Sequence, residues 1–318
     1  MELRLDDGQV ALQDTVRRFC EDRFGLDRIG EREGRPTDRA AWKDLGALGV
    51  LDVLRFGIVE AAVMFEQLGS HLVPGPVLWS VLAAPLVDGV ATGDVLVGGL
   101  TAAEDDGPFL VEHAGEIDAL VVLRTEGVFL VAGDDLPRPE ELAPLDPLTP
   151  VGRYAALPRG EPVGDTEAAA RLRLLGTVLA AATLLGVSAR ALEVARAYAL
   201  DREQFGVPIG SFQAVKHLLA DMYVRTGMAR SATYAAAAVV DDPGGDDPVR
   251  AAGAAKLLAG EAAVDNAGTA VQVLGGMGFT WEMPPNHLLK RAWVLEHAFG
   301  TADEHAGALG TALGQEVG

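Results

Sequence analysis

Three short groups of residues in the last third of the chain hold the side chains and glycines best suited to chemistry. The first is Arg202-Glu-Gln-Phe-Gly-Val-Pro-Ile-Gly-Ser-Phe-Gln, after a long Ala/Leu-rich segment. A guanidinium is a planar fork of donors that matches a diphosphate, so Arg202, with Gln204 and Phe205 beside it, could grip such a ligand. Taken alone, Arg202 between Asp201 and Glu203 would only cap a helix C-terminus. The second group is Gln272-Val-Leu-Gly-Gly-Met-Gly-Phe-Thr-Trp-Glu, where Gly275 and Gly276 allow a ligand close to the backbone. Taken alone, that glycine pair would simply end a helix. The third group is Ala298-Phe-Gly-Thr301. A phenyl ring accepts no proton, so Phe299 offers no acid–base chemistry.

These groups need elements to hold them. Leu12, Val16, Phe19 and Cys20 recur at helical spacing, and Asp6 with Gln9 has the form of a capping pair. Trp42, Leu45 and Leu48 mark a second helix, Ile58 to Leu68 a third, and Leu78 to Leu86 a short one after the Gly75-Pro76 break. Val95 to Leu100, Ala119 to Leu123 and Val128 to Ala132 read as strands, and Leu136 to Gly164 as proline-rich connecting loop with one or two more. Helix then returns, over Thr166 to Leu200 with Asp165 as N-cap and over Phe212 to Val240 capped by Ser211. A third begins at Pro248 after an acidic turn and ends at Gly275-Gly276, and a fourth begins near Pro285, making an antiparallel four-helix bundle.

Composition narrows the classes. The chain has 318 residues, 49% of them hydrophobic but only 6% aromatic, which favours close-packed helices. A net charge of −20 argues against nucleic-acid or anionic-membrane partners. A single cysteine, Cys20, excludes an internal disulfide and a cysteine metal cluster, and its apolar position reads as core. No metal site is expected. Leu174 to Ala189 is uncharged but short for a membrane span, and the charged N-terminus lacks a signal-peptide pattern, so a cytoplasmic protein is expected.

The first two groups, at their separation, resemble the acyl-CoA dehydrogenase family. The resemblance covers most of the chain, strongly from Ala189 to Gly300. It implies a mostly α fold: an N-terminal helical domain (1–90), a small middle β domain (91–164) and a C-terminal four-helix bundle (165–318). It also implies FAD, an acyl-CoA thioester substrate that loses an α proton and a β hydride, and an electron-transfer flavoprotein as acceptor. In such proteins Arg202, Gln204, Phe205, Gln272, Gly275, Gly276 and Thr301 would contact FAD, the first two groups reaching the flavin of a neighbouring subunit.

The sequence departs from that pattern where the base should be. The family's usual glutamate position holds Phe299, and the alternative position early in the long helix holds Gly176. Glu296 and His297 precede the first site and should point elsewhere, and Glu282 reads as structural. The middle segment Gly99-Leu-Thr-Ala-Ala-Glu-Asp-Asp-Gly-Pro108 lacks the family's flavin-contacting pattern, and the loop before Gly57 is contracted. The expectation is a non-catalytic subunit of an α2β2 heterotetramer. Its homologous catalytic partner would supply the base, and the chain resembles the shortened subunits of actinobacterial steroid catabolism. The alternatives are an active homotetramer with a displaced base and a flavin-free structural or regulatory relic.

Overall fold

Asp6 and Gln9 form the reciprocal cap that their spacing predicts: Gln9 N donates to Asp6 Oδ1 at 2.8 Å, and Asp6 N to Gln9 Oε1 at 3.1 Å. The computed structural model describes residues 5–102 and 107–317, with side chains to 314. In chain order these form α1 (Asp7–Phe24), α2 (Arg39–Ala47), α3 (Ile58–Ser70), α4 (Val77–Ala83), β1 (Val97–Thr101), β2 (Phe109–Glu112), β3 (Ala119–Leu123) and β4 (Val128–Ala132). There follow β5 (Glu140–Leu142), β6 (Val151–Tyr154), β7 (Glu161–Gly164), α5 (Thr166–Asp201), β8 (Glu203–Gln204) and β9 (Val207–Pro208). The chain closes with α6 (Gln213–Asp241), α7 (Pro248–Leu274), α8 (Pro284–Glu296) and α9 (Ala302–Val317). The mostly helical class with a small β region is as expected.

Two compact units share these elements. One contains α1, α3, α5 from Thr177 onward and α6 to α9; the other contains α2, α4, β1 to β7 and the start of α5. The division cuts across the expected segments 1–90, 91–164 and 165–318, because α2 and α4 cluster with the strands while α1 and α3 cluster with the bundle.

The helical unit is built on backbone-to-backbone approach. A Cβ on Gly69 of α3 would lie 2.0 Å from Thr183 O of α5, and one on Gly186 would lie 2.0 Å from Glu66 O. Only glycine fits such a crossing, and the Ala-rich faces around it keep the helices close. α5 is long and apolar enough to cross a membrane, yet 72% of an 18-residue apolar stretch of it is buried in the protein. Buried polar groups fix the register. Asn266 of α7 donates to Ser188 Oγ of α5 at 2.8 Å, and to Met222 O and Thr226 Oγ1 of α6 at 3.0 and 2.9 Å. Glu66 accepts from Arg230 Nη2 at 2.7 Å and from the Tyr234 hydroxyl. Asp241, closing α6, accepts from Ile58 N and Val59 N and so caps α3. Cys20 is fully buried.

The second unit holds a sheet of order β1-β3-β4-β7, with β1 parallel to β3, and a sheet of order β2-β6-β5. Arg39 binds Asp118 at 2.6 Å, and the Thr37 amide and hydroxyl donate to Glu116 at 2.6 and 2.9 Å, fastening the chain around α2 to these strands.

The structure corrects the sequence reading in several places. The 136–164 segment carries three strands, β5 to β7, and β2 precedes them; each has three or four residues, too few for alternation to stand out. Pro162 is tolerated in β7 because that strand lies at the sheet edge. The short fourth helix ends at Ala83 rather than Leu86. Ser211 does not cap α6: it ends a 3-10 turn, and Phe212, extended at the cap position, makes no side-chain cap bond. The bundle gains a fifth helix, α9, and a hairpin, β8–β9, between α5 and α6.

Candidate cofactor-binding end and the turn at Phe299

The first group lies on the β8–β9 hairpin that follows α5. The backbone of Arg202 is tied on both sides: its N–H donates to Tyr198 O and its carbonyl accepts from Ile209 N, each at 2.8 Å. Its side chain is exposed, and among the described residues its guanidinium makes no hydrogen bond or ion pair. The hairpin tip is Phe205-Gly206, with φ of +55° and +79°. Two positive φ values suit the tight turn of a two-residue hairpin, but phenylalanine is a strained choice there. Phe205 is also 93% exposed, its ring meeting only the edge of Phe212 at 6.1 Å among the described aromatic pairs. Gln204 is exposed and donates to the Glu203 carbonyl at 2.7 Å.

The second group forms the turn after α7. Gly275, with φ +63° and ψ −140°, closes the helix in a conformation open to glycine, its N–H bonded to the Gln272 carbonyl. A Cβ on Gly275 or Gly276 would have nothing within 4 Å, so their exposed backbone could accept a ligand. Gly278 differs: a Cβ there would meet Val271 O at 2.7 Å, so this glycine serves packing. Gln272, Met277, Phe279 and Trp281 are exposed, with Lys290 Nζ 3.4 Å from the Trp281 ring centroid. The Tyr198 hydroxyl reaches Met277 Sδ at 3.9 Å. The two groups, some seventy residues apart in sequence, therefore meet at one end of the helical unit.

Phe299 lies elsewhere. It occupies the reversal between α8 and α9 with φ +56°, followed by Gly300 at +98°. Lys256 of α7, wholly buried, donates from Nζ to Glu296 O and Gly300 O, both at 2.8 Å. His305 Nε2 pairs with Phe299 O at 3.0 Å. Glu296 Oε1 accepts from Ala302 N at 2.8 Å. Thr301 and Glu304 make a capping box at α9: Thr301 N donates to Glu304 Oε2 at 2.8 Å, and Glu304 N to Thr301 Oγ1 at 3.2 Å. Burial lowers Lys256 to about 8, against the opposing pull of Glu296 and Glu304. Burial likewise lowers His305, while its bond to the Phe299 carbonyl opposes that. Lys256 precedes Gln272 by sixteen positions on α7, about 24 Å at 1.5 Å per residue, so this turn and the arginine–glycine end are well separated.

At the positions where the resemblance expects a base there is none. Gly176 is buried in α5, and Phe299 carries a ring. The Glu296 carboxylate is committed to α9, while His297 is exposed with Nδ1 3.8 Å from Glu296. Glu282 is exposed. No group of three or more His, Cys, Asp or Glu among the described residues could hold a metal. Of the atypical middle segment, residues 103–106 lie outside the described residues.

A family model described as acyl-CoA dehydrogenase, C-terminal domain, matches residues 174–314. Over 286 residues, covering 83% of this chain and 84% of the relative, the sequence is 34% identical to the acyl-CoA dehydrogenase IpdE2 of Mycobacterium tuberculosis (strain ATCC 25618 / H37Rv). The chain belongs to the acyl-CoA dehydrogenase family. In fold it is similar to a chain in the crystal structure of the ChsE4-ChsE5 complex from Mycobacterium tuberculosis, with TM-score 0.87, 27% identity and 99% of each chain covered. A chain of the Tcur3481-Tcur3483 steroid ACAD shares the fold at TM-score 0.84 and 22% identity, over 98% of this chain and 99% of that one.

Sequence reasoning within this family picked out Arg202, Gln204, Phe205 and the glycine pair, but not the residues that organise them. Tyr198 gave no signal beyond a helical position. Lys256 did leave one: it is a lone cation in Ala254-Ala-Lys-Leu-Leu-Ala, on a face that must be buried.

Proposed function

We propose that this chain is the non-catalytic subunit of a heteromeric FAD-dependent acyl-CoA dehydrogenase. It would complete the flavin site of a homologous catalytic partner in an α2β2 complex. The observation that carries this is the contrast in its residues. Arg202 is held by its backbone yet presents an unpaired guanidinium, beside glycines whose backbone is open, while both family base positions lack a proton acceptor.

The residues of that end fit the outward half of an FAD site. Arg202 would bind the diphosphate through charge-assisted bonds, Gln272 with Gly275 and Gly276 would hold the adenosine portion, and Gln204 and Phe205 would flank it. A strained and exposed phenylalanine persists where something outside the chain uses it, which suits Phe205 as a contact to partner or cofactor. Thr301 would face the chain's own degenerate site, its hydroxyl already engaged in capping α9. FAD, when bound, supplies the hydride acceptor for α,β-dehydrogenation of the thioester. The partner's carboxylate would take the α proton, since Phe299 cannot.

The heteromeric assembly is supported by the likeness to a chain of the ChsE4-ChsE5 complex. The substrate we propose is a bulky, steroid-derived acyl-CoA, because silencing half the sites leaves room for a polycyclic group. An electron-transfer flavoprotein would reoxidise the flavin, and the assembly would work in the cytoplasm. Native mass spectrometry of the complex captured through this chain tests the proposal. Two chain types with two FAD per four chains are expected; a homotetramer with four FAD would overturn it.

A further inference from the structure

Lys256 is a buried cation that the functional reading leaves without a role. A buried ammonium is costly unless it is fully engaged, and this one spans two backbone carbonyls from either side of Phe299. Glu296 ends α8, so its carbonyl is one of the orphan acceptors of a helix C-terminus, where a cation is favoured. Phe299 lies in the left-handed region, and a non-glycine residue stays there only when its surroundings over-determine it. Several described bonds hold the turn. Lys256 holds Glu296 O and Gly300 O, His305 holds Phe299 O, and Glu296 holds the Ala302 amide. Among the described bonds, those of Lys256 bridge the turn twice from α7. A Cβ on Gly300 would come 2.8 Å from His305 Nε2, so the turn has little room to relax.

We propose that Lys256 is the positioning residue of the 296–301 turn: its two bonds fix the left-handed geometry at Phe299 and Gly300, and so set how Phe299 and Thr301 face the chain's own degenerate site. The second half of this statement rests on the function proposed above; the first does not. The role is one of orientation, because the two bonds shown from Nζ go to main-chain carbonyls.

Hydrogen–deuterium exchange of the full chain, in complex with its partner, tests it with Lys256→Met. The expected result is exchange at least tenfold faster across 297–303, with unchanged protection in the Glu66–Arg230 region and the 202–208 hairpin. Lys256→Gln, which keeps an N–H donor without the charge, should give an intermediate rate, and it replaces the methionine variant should that fail to fold. Unchanged protection at 297–303 would overturn the clamp. The second readout is the visible circular dichroism of the bound flavin together with its dissociation constant. An unaltered band and affinity beside a loosened turn support a role confined to the degenerate site, whereas a changed band or an affinity weakened several-fold would overturn the separation of the two ends. If no form of the complex carries FAD, the functional proposal fails, and the exchange data still decide the clamp.

Discussion

The two ends of α7 treat strained backbone in opposite ways. At its C-terminal end Phe205, Gly206 and Gly275 have positive φ, and the atoms around them are open to solvent. Near its N-terminal end, Phe299 and Gly300 also have positive φ, but every carbonyl from 299 to 300 and that of Glu296 is taken by Lys256 or His305. Strain left open is strain available to a ligand or partner. Strain closed by buried bonds is geometry maintained by the fold itself. Under the proposed function, the closed end would be the family's place for catalysis without its carboxylate, and the open end would serve another subunit.

The comparison can be sharpened through pH. Lys256 is lowered from its ordinary 10.5 to about 8 by burial, with Glu296 and Glu304 opposing and His305 close by. Between those values the unfolded chain binds more protons than the folded one, so stability should rise with pH across that window, by up to about 3 kcal/mol. Urea denaturation from pH 7.5 to 10.5 should show the rise in the natural chain and lose it in Lys256→Met. A rise of equal size in both would break the assignment of the closed end to this lysine.

Arg202→Ala acts at the open end. Loss of a charge-assisted pair with a diphosphate should weaken FAD binding to the complex by about 1.5–3 kcal/mol, roughly ten- to a hundredfold. The melting temperature of the isolated chain should not move, since no described bond is lost from its guanidinium. A fall in stability with FAD affinity intact would reverse the roles of the two ends.

A pair of glycine substitutions separates them further. Gly300→Ala should cost about 1–3 kcal/mol of stability, through its φ of +98° and the 2.8 Å approach to His305. Gly275→Ala meets no neighbour, so its smaller stability loss, about 1 kcal/mol, should be accompanied by weakened FAD binding. Thermal melts and flavin titrations on the same two variants would decide it.

The smallest effect concerns Phe205. Asparagine tolerates the left-handed region, so Phe205→Asn should stabilise the isolated chain by about 0.5–1 kcal/mol while weakening assembly with the flavin-bearing partner. Stabilisation without any loss of assembly, measured by sedimentation, would show that the exposed ring has no partner. Phe299→Glu belongs to the same contrast: a carboxylate restored to a well-held turn should yield no useful turnover by this chain alone, because its middle domain departs from the family pattern.

Much of this was legible in the order of residues. The cap at Asp6, the strands at Ala119 and Val128, Pro248 opening a helix and the apolar run of α5 are local matters of side-chain chemistry and spacing, decided within a few residues. The arginine and glycine groups were legible for the same reason, as was the lack of a proton acceptor in the Phe299 side chain. Short edge strands were not, because three residues give no period, nor was the failure of Ser211 to cap, which depends on a 3-10 turn over Ile209–Ser211 that moves the cap position to Phe212.

Other features belong to the tertiary structure alone. That Arg202 and Gly275 face the same end depends on α5 and α7 lying together, which brings Tyr198 to Met277. That Gly276 is open while Gly278 is packed depends on where α7's own backbone returns. That a lysine in an alanine run clamps a turn forty residues away depends on burial, which leaves an ammonium no water and makes two carbonyls its partners. Sequence determined which groups were present; packing decided which remained free to act outside the chain.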